Sequence, residues 1–330
     1  MFDRSVTVVI PTLDRPEQLG VTLATVLAQR DVDVHVVVVD DGSRLPVVID
    51  HPSVRVVRHE SPRGVAASRN AGLARTTTPW IAFTDDDDLW APGKLAAQLD
   101  AIAATHGAGW SCVGVIQVDE GLRPIGRAQG PASGDISETM LSRNAIPGGG
   151  SGVLASTALV REVGGFDEAF GMCADYDLWI RLALASPIAV ANEPLLAYVV
   201  HPGAMSRRLD DVYEELDRLD DKHREERERR RLASGGSIHM WIGDRNQRAG
   251  RRVAAARAYL RGADALGAGV AVFRALEALL WPGAYRHRDQ RRAEDIPGDW
   301  IVPFNSWLDP IRAGAVRHRS NENAERVGST

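Results

Sequence analysis

Residues 79–95 read PWIAFTDDDDLWAPGKL. Residues 80–83 are mostly apolar and short, as a buried strand is. Asp85, Asp86, Asp87 and Asp88 follow at once, and residues 92–99 read as a helix start. Adjacent like charges repel. Such a run is therefore either a solvated acidic loop or a set of oxygen ligands held for a cation. The flanking segments bear on that choice.

Residues 7–16, TVVIPTLDRP, open with a β-branched run that Pro11 ends, and Pro16 stands where a helix can begin. Residues 34–43, VHVVVVDDGS, hold an unbroken apolar run at 36–39, as in a strand covered on both faces. Between them Leu19, Leu23, Val26 and Leu27 recur at helical spacing over residues 17–29. A strand at 54–57 and a helix at 64–74 follow. Alternating strands and helices predict an α/β fold with a mostly parallel sheet flanked by helices. Ligands of such sheets bind outside the carboxyl ends of the strands. Three polar clusters fall at such ends: residues 11–14, 40–43 and 85–88.

Taken in order and spacing, VVIPTLDRP, VVVVDDGS, RGVAASRNAGLA, WIAFTDDDDLW, VGGFDEAF and ADYDLWIRLA resemble the family 2 glycosyltransferases. The resemblance implies a GT-A nucleotide-sugar-binding fold over residues 1–206. The implied reaction is an inverting, metal-assisted transfer of a sugar from a nucleoside-diphosphate sugar to an acceptor hydroxyl. Asp87 matches the last aspartate of the family's D-x-D pattern and would hold Mn²⁺ or Mg²⁺. Asp85 and Asp86 would face the ribose or act through water, and Asp88 would cap the next segment. Asp175, in ADYDLWIRLA, matches the general base of inverting members, although aspartate is also a favoured N-cap. Asp177 reads as a structural acid fixed by Arg181 one turn on.

For the nucleotide base the choice is Asp41, with Asp40 second, since a carboxylate accepts from a base N–H. D-G is also a strong turn signal. Pro11 and Thr12 would line the same pocket through their main chain. Arg69 is assigned either to the nucleotide or diphosphate or to a surface salt bridge. His201 would contact the metal or diphosphate, or be structural. Residues 146–152, IPGGGSG, are expected to face the sugar or acceptor. Two departures from the family pattern stand out. Leu13 and Asp14 occupy the place of a common Tyr-Asn pair, and Ala174 replaces an acid before Asp175.

The net charge of −5 gives no global bias toward nucleic acid. Two cysteines cannot make a disulfide framework, which fits a cytoplasmic location. No apolar run reaches membrane-spanning length, and peripheral contact with the inner membrane face stays open. Residues 207–330 are expected to be mostly helical, with a disordered tail beyond 320. Leu209, Val212, Leu216 and Leu219 give a narrow apolar stripe for packing or a homodimer seam. Val253, Ala256, Tyr259 and Leu260 form one apolar face at helical spacing; Val270, Phe273, Leu276 and Leu280 form another. Trp300, Ile301, Val302, Phe304, Trp307 and Leu308 predict a core cap, with a membrane anchor as the rival.

The acceptor class is open: carbohydrate, lipid-linked or small molecule. Two other functions compete. A sugar-nucleotide nucleotidyltransferase wants a glycine- and base-rich loop after the first strand, which TLDRPEQLG is not. A noncatalytic binding module would not need Asp41, Asp87 and Asp175 together.

Overall fold

The computed structural model describes residues 3–201, 212–232, 237–263, 267–281 and 283–328, with side chains to 314. The chain begins β1 (Ser5–Thr12), α1 (Pro16–Leu27), β2 (Asp33–Asp40), β3 (Val54–Arg58), α2 (Val65–Arg75) and β4 (Trp80–Phe83). These strands lie in the order β3-β2-β1-β4, all parallel. Side chains alternate across the sheet, as strand geometry requires. Val8 and Ile10 join Val36 and Val38 on one face, against Leu19, Leu23 and Val26 of α1. Val9, Val37, Val39, Ile81 and Phe83 fill the other face.

Next come β5 (Leu89–Trp90), α3 (Lys94–Ala104), β6 (Trp110–Val118), β7 (Pro124–Ala128), α4 (Ser137–Ser142) and β8 (Val153–Ser156). Then follow α5 (Thr157–Glu162), α6 (Ala174–Ala185) and β9 (Ile188–Val199). Antiparallel β8 joins β4 to β6, and β9 runs parallel to β6. The sheet is therefore mixed beyond β4, although the long pairings are parallel. Helix α6 buries Leu178, Trp179, Ile180 and Leu182 completely. Each such side chain stabilises by about 1.5–3 kcal/mol relative to exposure. The N-terminal turn of α6 is thus firmly seated.

The C-terminal helices are α7 (Val212–Arg230), α8 (Ser237–Arg248) and α9 (Arg252–Arg261), then Ala268–Leu280, Ala284–Glu294 and Gly298–Gly328. The expected boundary at 206 and Leu209 lie outside the described residues. Val212, Leu216 and Leu219 belong to the same core cluster as α6. Trp300, Phe304 and Leu308 pack on Leu89, Ile116, Val118, Ala197 and Val199, so this segment caps a core. The last helix is drawn on to Gly328, through the stretch where sequence predicts disorder.

The two apolar faces of this region are covered only in part. On α9, Ala256 and Tyr259 are buried but Val253 and Leu260 are exposed. The helix Ala268–Leu280 buries Ala271, Ala275 and Ala278, and leaves Val270, Phe273, Leu276 and Leu280 in the open. Alanines allow closer helix packing, and the bulky residues turn outward.

Candidate active site

The parallel strands β1, β2 and β4 end together, and each passes directly into a polar cluster. After β2, Asp40 is fully buried. Its carboxylate accepts from the Ser43 and Val47 amides at 2.8 and 3.1 Å and from Arg58 Nη1. Those contacts build the loop. Asp41 Oδ1 accepts from the Arg63 amide at 2.9 Å and lies 2.7 Å from His59 Nδ1, and Oδ2 accepts from the Gly64 amide at 2.9 Å. Burial works to raise the Asp41 carboxyl, but His59 and the two amides hold it below its ordinary value. Gly42 has φ +85°, and an added Cβ would sit 2.9 Å from Pro62 N. The D-G turn and the Asp41 anchor are one structure.

After β4 the four aspartates diverge. Asp85 accepts from Arg69 Nη2 at 2.7 Å. Asp86 accepts from Thr12 Oγ1 at 2.7 Å and Arg15 Nη1 at 3.1 Å. Asp87 accepts from Arg15 Nη1 at 2.7 Å. Asp88 is fully buried; it accepts from Ser151 Oγ at 2.5 Å and from the Val199 amide at 2.8 Å. It caps no helix, because Gly93 is the N-cap of α3. Burial, then the charges of Asp87 and Asp85, pushes the Asp88 carboxyl well up. The Asp85 side chain keeps 38% of its surface. Protein encloses it otherwise, and this enclosure with three nearby carboxylates outweighs Arg69, lifting it to about 6.

Arg69 is not a surface salt bridge. Its side chain is 3% exposed, and it spans Asp85 and Asp175 through Nη2 and Nη1. The N-cap of α6 is Cys173, without a side-chain cap, so Asp175 is a first-turn residue free of capping duty. The glycines of the 146–152 loop press on this pair. A Cβ at Gly150 would lie 2.6 Å from Arg69 Nη2, and one at Gly149 would lie 3.2 Å from Asp175 Oδ2. Asp177 turns the other way. It accepts from Arg181 Nη2 at 2.5 Å and lies 2.9 Å from His223 Nε2 and 2.8 Å from Lys222 Nζ.

His201 follows β9. Its Nδ1 lies 3.2 Å from Glu120 Oε1, and its Nε2 lies 3.2 Å from Asp87 Oδ2 but off the line of a hydrogen bond. Asp87 first, and Glu120 against the cost of burial, raise the imidazole above its ordinary value. Asp85, Asp87 and Asp88 each bring an oxygen within 4.8 Å of the others. Three converging carboxylates fit a hard divalent cation, which takes oxygen ligands.

Most of the sequence-predicted residues meet here. Thr12 meets the site both ways: its carbonyl accepts from the Asp41 amide at 2.9 Å, and its Oγ1 donates to Asp86. Pro11 lies in β1 beside Val39. Asp40 is engaged by its own loop and by Arg58 of β3, and Asp41 by the segment that follows β3. Sequence reasoning missed Arg15 and Ser151. Arg15 had a signal, a base at the ligand edge beside an acidic run. Ser151 had only its place in IPGGGSG.

This mixed sheet, with a carboxylate-lined edge at its strand ends, has the architecture of the GT-A fold. Residues 7–161 match the family described as Glycosyl transferase family 2. A pre-mycofactocin glycosyltransferase of Mycobacterium tuberculosis is 31% identical over 215 residues, 60% of this chain and 43% of that protein. Succinoglycan biosynthesis protein ExoO of Rhizobium meliloti is 31% identical over 225 residues, 63% of this chain and 64% of its own. The chain thus spans less than half of the mycobacterial relative. In fold it is similar to S. aureus TarS 1-349 in complex with UDP-GlcNAc, with TM-score 0.53, 15% identity and 88% of each chain covered.

Proposed function

We propose that the protein transfers a sugar from a nucleoside-diphosphate sugar to an acceptor hydroxyl in a single inverting displacement. The observation that carries this reading is the Arg69 bridge. One buried guanidinium holds Asp85 of the acidic run and Asp175 at the start of α6. A donor diphosphate at the first and an acceptor hydroxyl at the second would lie side by side.

Asp87, with Asp85 and His201 beside it, would hold Mn²⁺ or Mg²⁺. When bound, the ion would neutralise charge on the leaving diphosphate. Asp175 accepts the acceptor proton as the hydroxyl oxygen attacks the anomeric carbon. Arg69 fixes that carboxylate's direction, and the backbone of Gly149 and Gly150 closes its other side. Asp41 and its loop form the nucleotide-base end, flanked by Pro11 and Thr12. ExoO and the amylovoran biosynthesis glycosyltransferase AmsB carry polysaccharide-synthesis names. They support a carbohydrate or lipid-linked acceptor.

The test is a panel of nucleoside-diphosphate sugars, scored for divalent-ion-dependent binding and then for product stereochemistry by NMR. The expected product has the donor's anomeric configuration inverted. A retained configuration, or no sugar nucleotide bound at any ion concentration, overturns the proposal.

A further inference from the structure

The helix Ala268–Leu280 is built inside out for a protein surface. Its alanines face the neighbouring helices. Its two charges, Arg274 and Glu277, are drawn inward, where Glu277 pairs with Arg274 and with Arg288. The outer arc carries Val270, Val272, Phe273, Leu276, Leu279 and Leu280, and Trp281 follows. Phe273 is 64% exposed, Trp281 58% and Leu280 79%. Val253 and Leu260 of the neighbouring α9 are exposed as well. Soluble proteins seldom leave so large a continuous apolar surface without an occupant.

Charge next to the patch identifies the occupant. From residue 251 to 294 there are nine arginines against four acids, in a chain whose net charge is −5. The helix Ala284–Glu294 turns Arg286, His287, Gln290, Arg291 and, at its last position, Glu294 outward. Arg286 and Arg291 have no acidic partner among the described residues, whereas inward Arg288 and Arg292 are paired. Arg257 is exposed between Val253 and Leu260. Trp281 sits at the junction, its ring 6.3 Å from that of His287. An apolar arc, an aromatic residue at its end and an unneutralised basic border are the features of a helix lying in a membrane interface. Thirteen residues make about 20 Å of helix, too short to cross a bilayer.

We propose that this face docks the protein onto an anionic lipid bilayer, with the helix Ala268–Leu280 in the interface plane and Arg257, Arg286 and Arg291 on lipid phosphates. This does not depend on the nucleotide-sugar reading.

The test is flotation of the full chain with phosphatidylcholine vesicles, with and without phosphatidylglycerol. Wild type should float with the anionic vesicles and leave them as salt rises. Phe273→Glu with Leu276→Glu, both already exposed, should lower the partition coefficient by about ten-fold or more. Arg286→Ala with Arg291→Ala should lower it about five-fold per arginine, an effect erased at high salt. Circular dichroism checks that each variant is folded. The proposal is overturned if folded wild type ignores anionic vesicles, or if both variants bind as wild type does. It is also overturned if light scattering shows a dimer that Phe273→Glu with Leu276→Glu splits while wild type binds no vesicles. A second copy of the chain would then be the occupant.

Discussion

Asp85 and Asp175, on different elements, share the guanidinium of Arg69. The acidic run and the candidate base are therefore a single electrostatic unit. Moving either carboxylate disturbs the other through a side chain with no room to shift.

Replacing that cation is the most direct probe. Arg69→Lys keeps the charge but supplies a point donor where a planar fork spans two partners. Transfer should fall by about ten-fold or more from misplacement of Asp175, with the fold retained. Arg69→Ala leaves two acids facing each other, and breaking such a pair should cost about 3 kcal/mol in urea denaturation. Unchanged stability and transfer in both variants would remove the bridge from the mechanism.

Asp175→Asn keeps the shape and loses the basicity. Donor affinity by calorimetry should stay near wild type, while turnover drops by about 10²–10⁴-fold. A variant that turns over normally would take the base role away from Asp175.

Arg15 holds Asp86 and Asp87 and competes with any cation for Asp87 Oδ2. Arg15→Ala should raise the affinity for Mn²⁺ several-fold at low ionic strength, because an opposing positive charge is gone. The gain should shrink as salt screens it. Weaker Mn²⁺ binding, read by electron paramagnetic resonance, would mean that Arg15 orders the carboxylates instead.

Asp177 gives a pH signature. Burial opposes ionisation, but His223, Lys222 and Arg181 more than offset it and hold the carboxyl at about 2, against an ordinary 3.8. With the folded value depressed, this stabilisation is complete above the unfolded value and disappears as pH falls from about 4 to about 2. The loss amounts to about 2 kcal/mol. Asp177→Asn should flatten the acid limb of stability by that amount. It should also weaken the protein at neutral pH, because the positive charges of Arg181 and Lys222 then face a neutral amide. Parallel acid limbs in denaturant titrations would contradict the pairing.

Local pattern made the first half of the fold legible. Unbroken apolar runs in β1 and β2, buried on both faces, helical spacing in α1 and the strand-end position of the acidic run are properties of contiguous residues. The family motifs added Asp41, Asp87 and Asp175. Arg15 and Ser151 escaped because each acts on residues far away in sequence, and no local periodicity marks such a contact. Asp88 was misassigned for the same reason. Its partners, Ser151 in the short 3-10 turn before β8 and Val199 at the end of β9, are brought near only by folding.

The sequence by itself determined the alternating strands and helices, the common edge where three polar clusters gather, and the chemistry those side chains offer. Tertiary structure decided which carboxylate meets which cation, and which side of each C-terminal helix is covered. The pattern in the helix Ala268–Leu280 gives a bulky apolar stripe and does not say what covers it. Packing covers the other side, Ala271, Ala275 and Ala278. A stripe records which residues are apolar. What covers it depends on shapes and charges contributed by other parts of the chain.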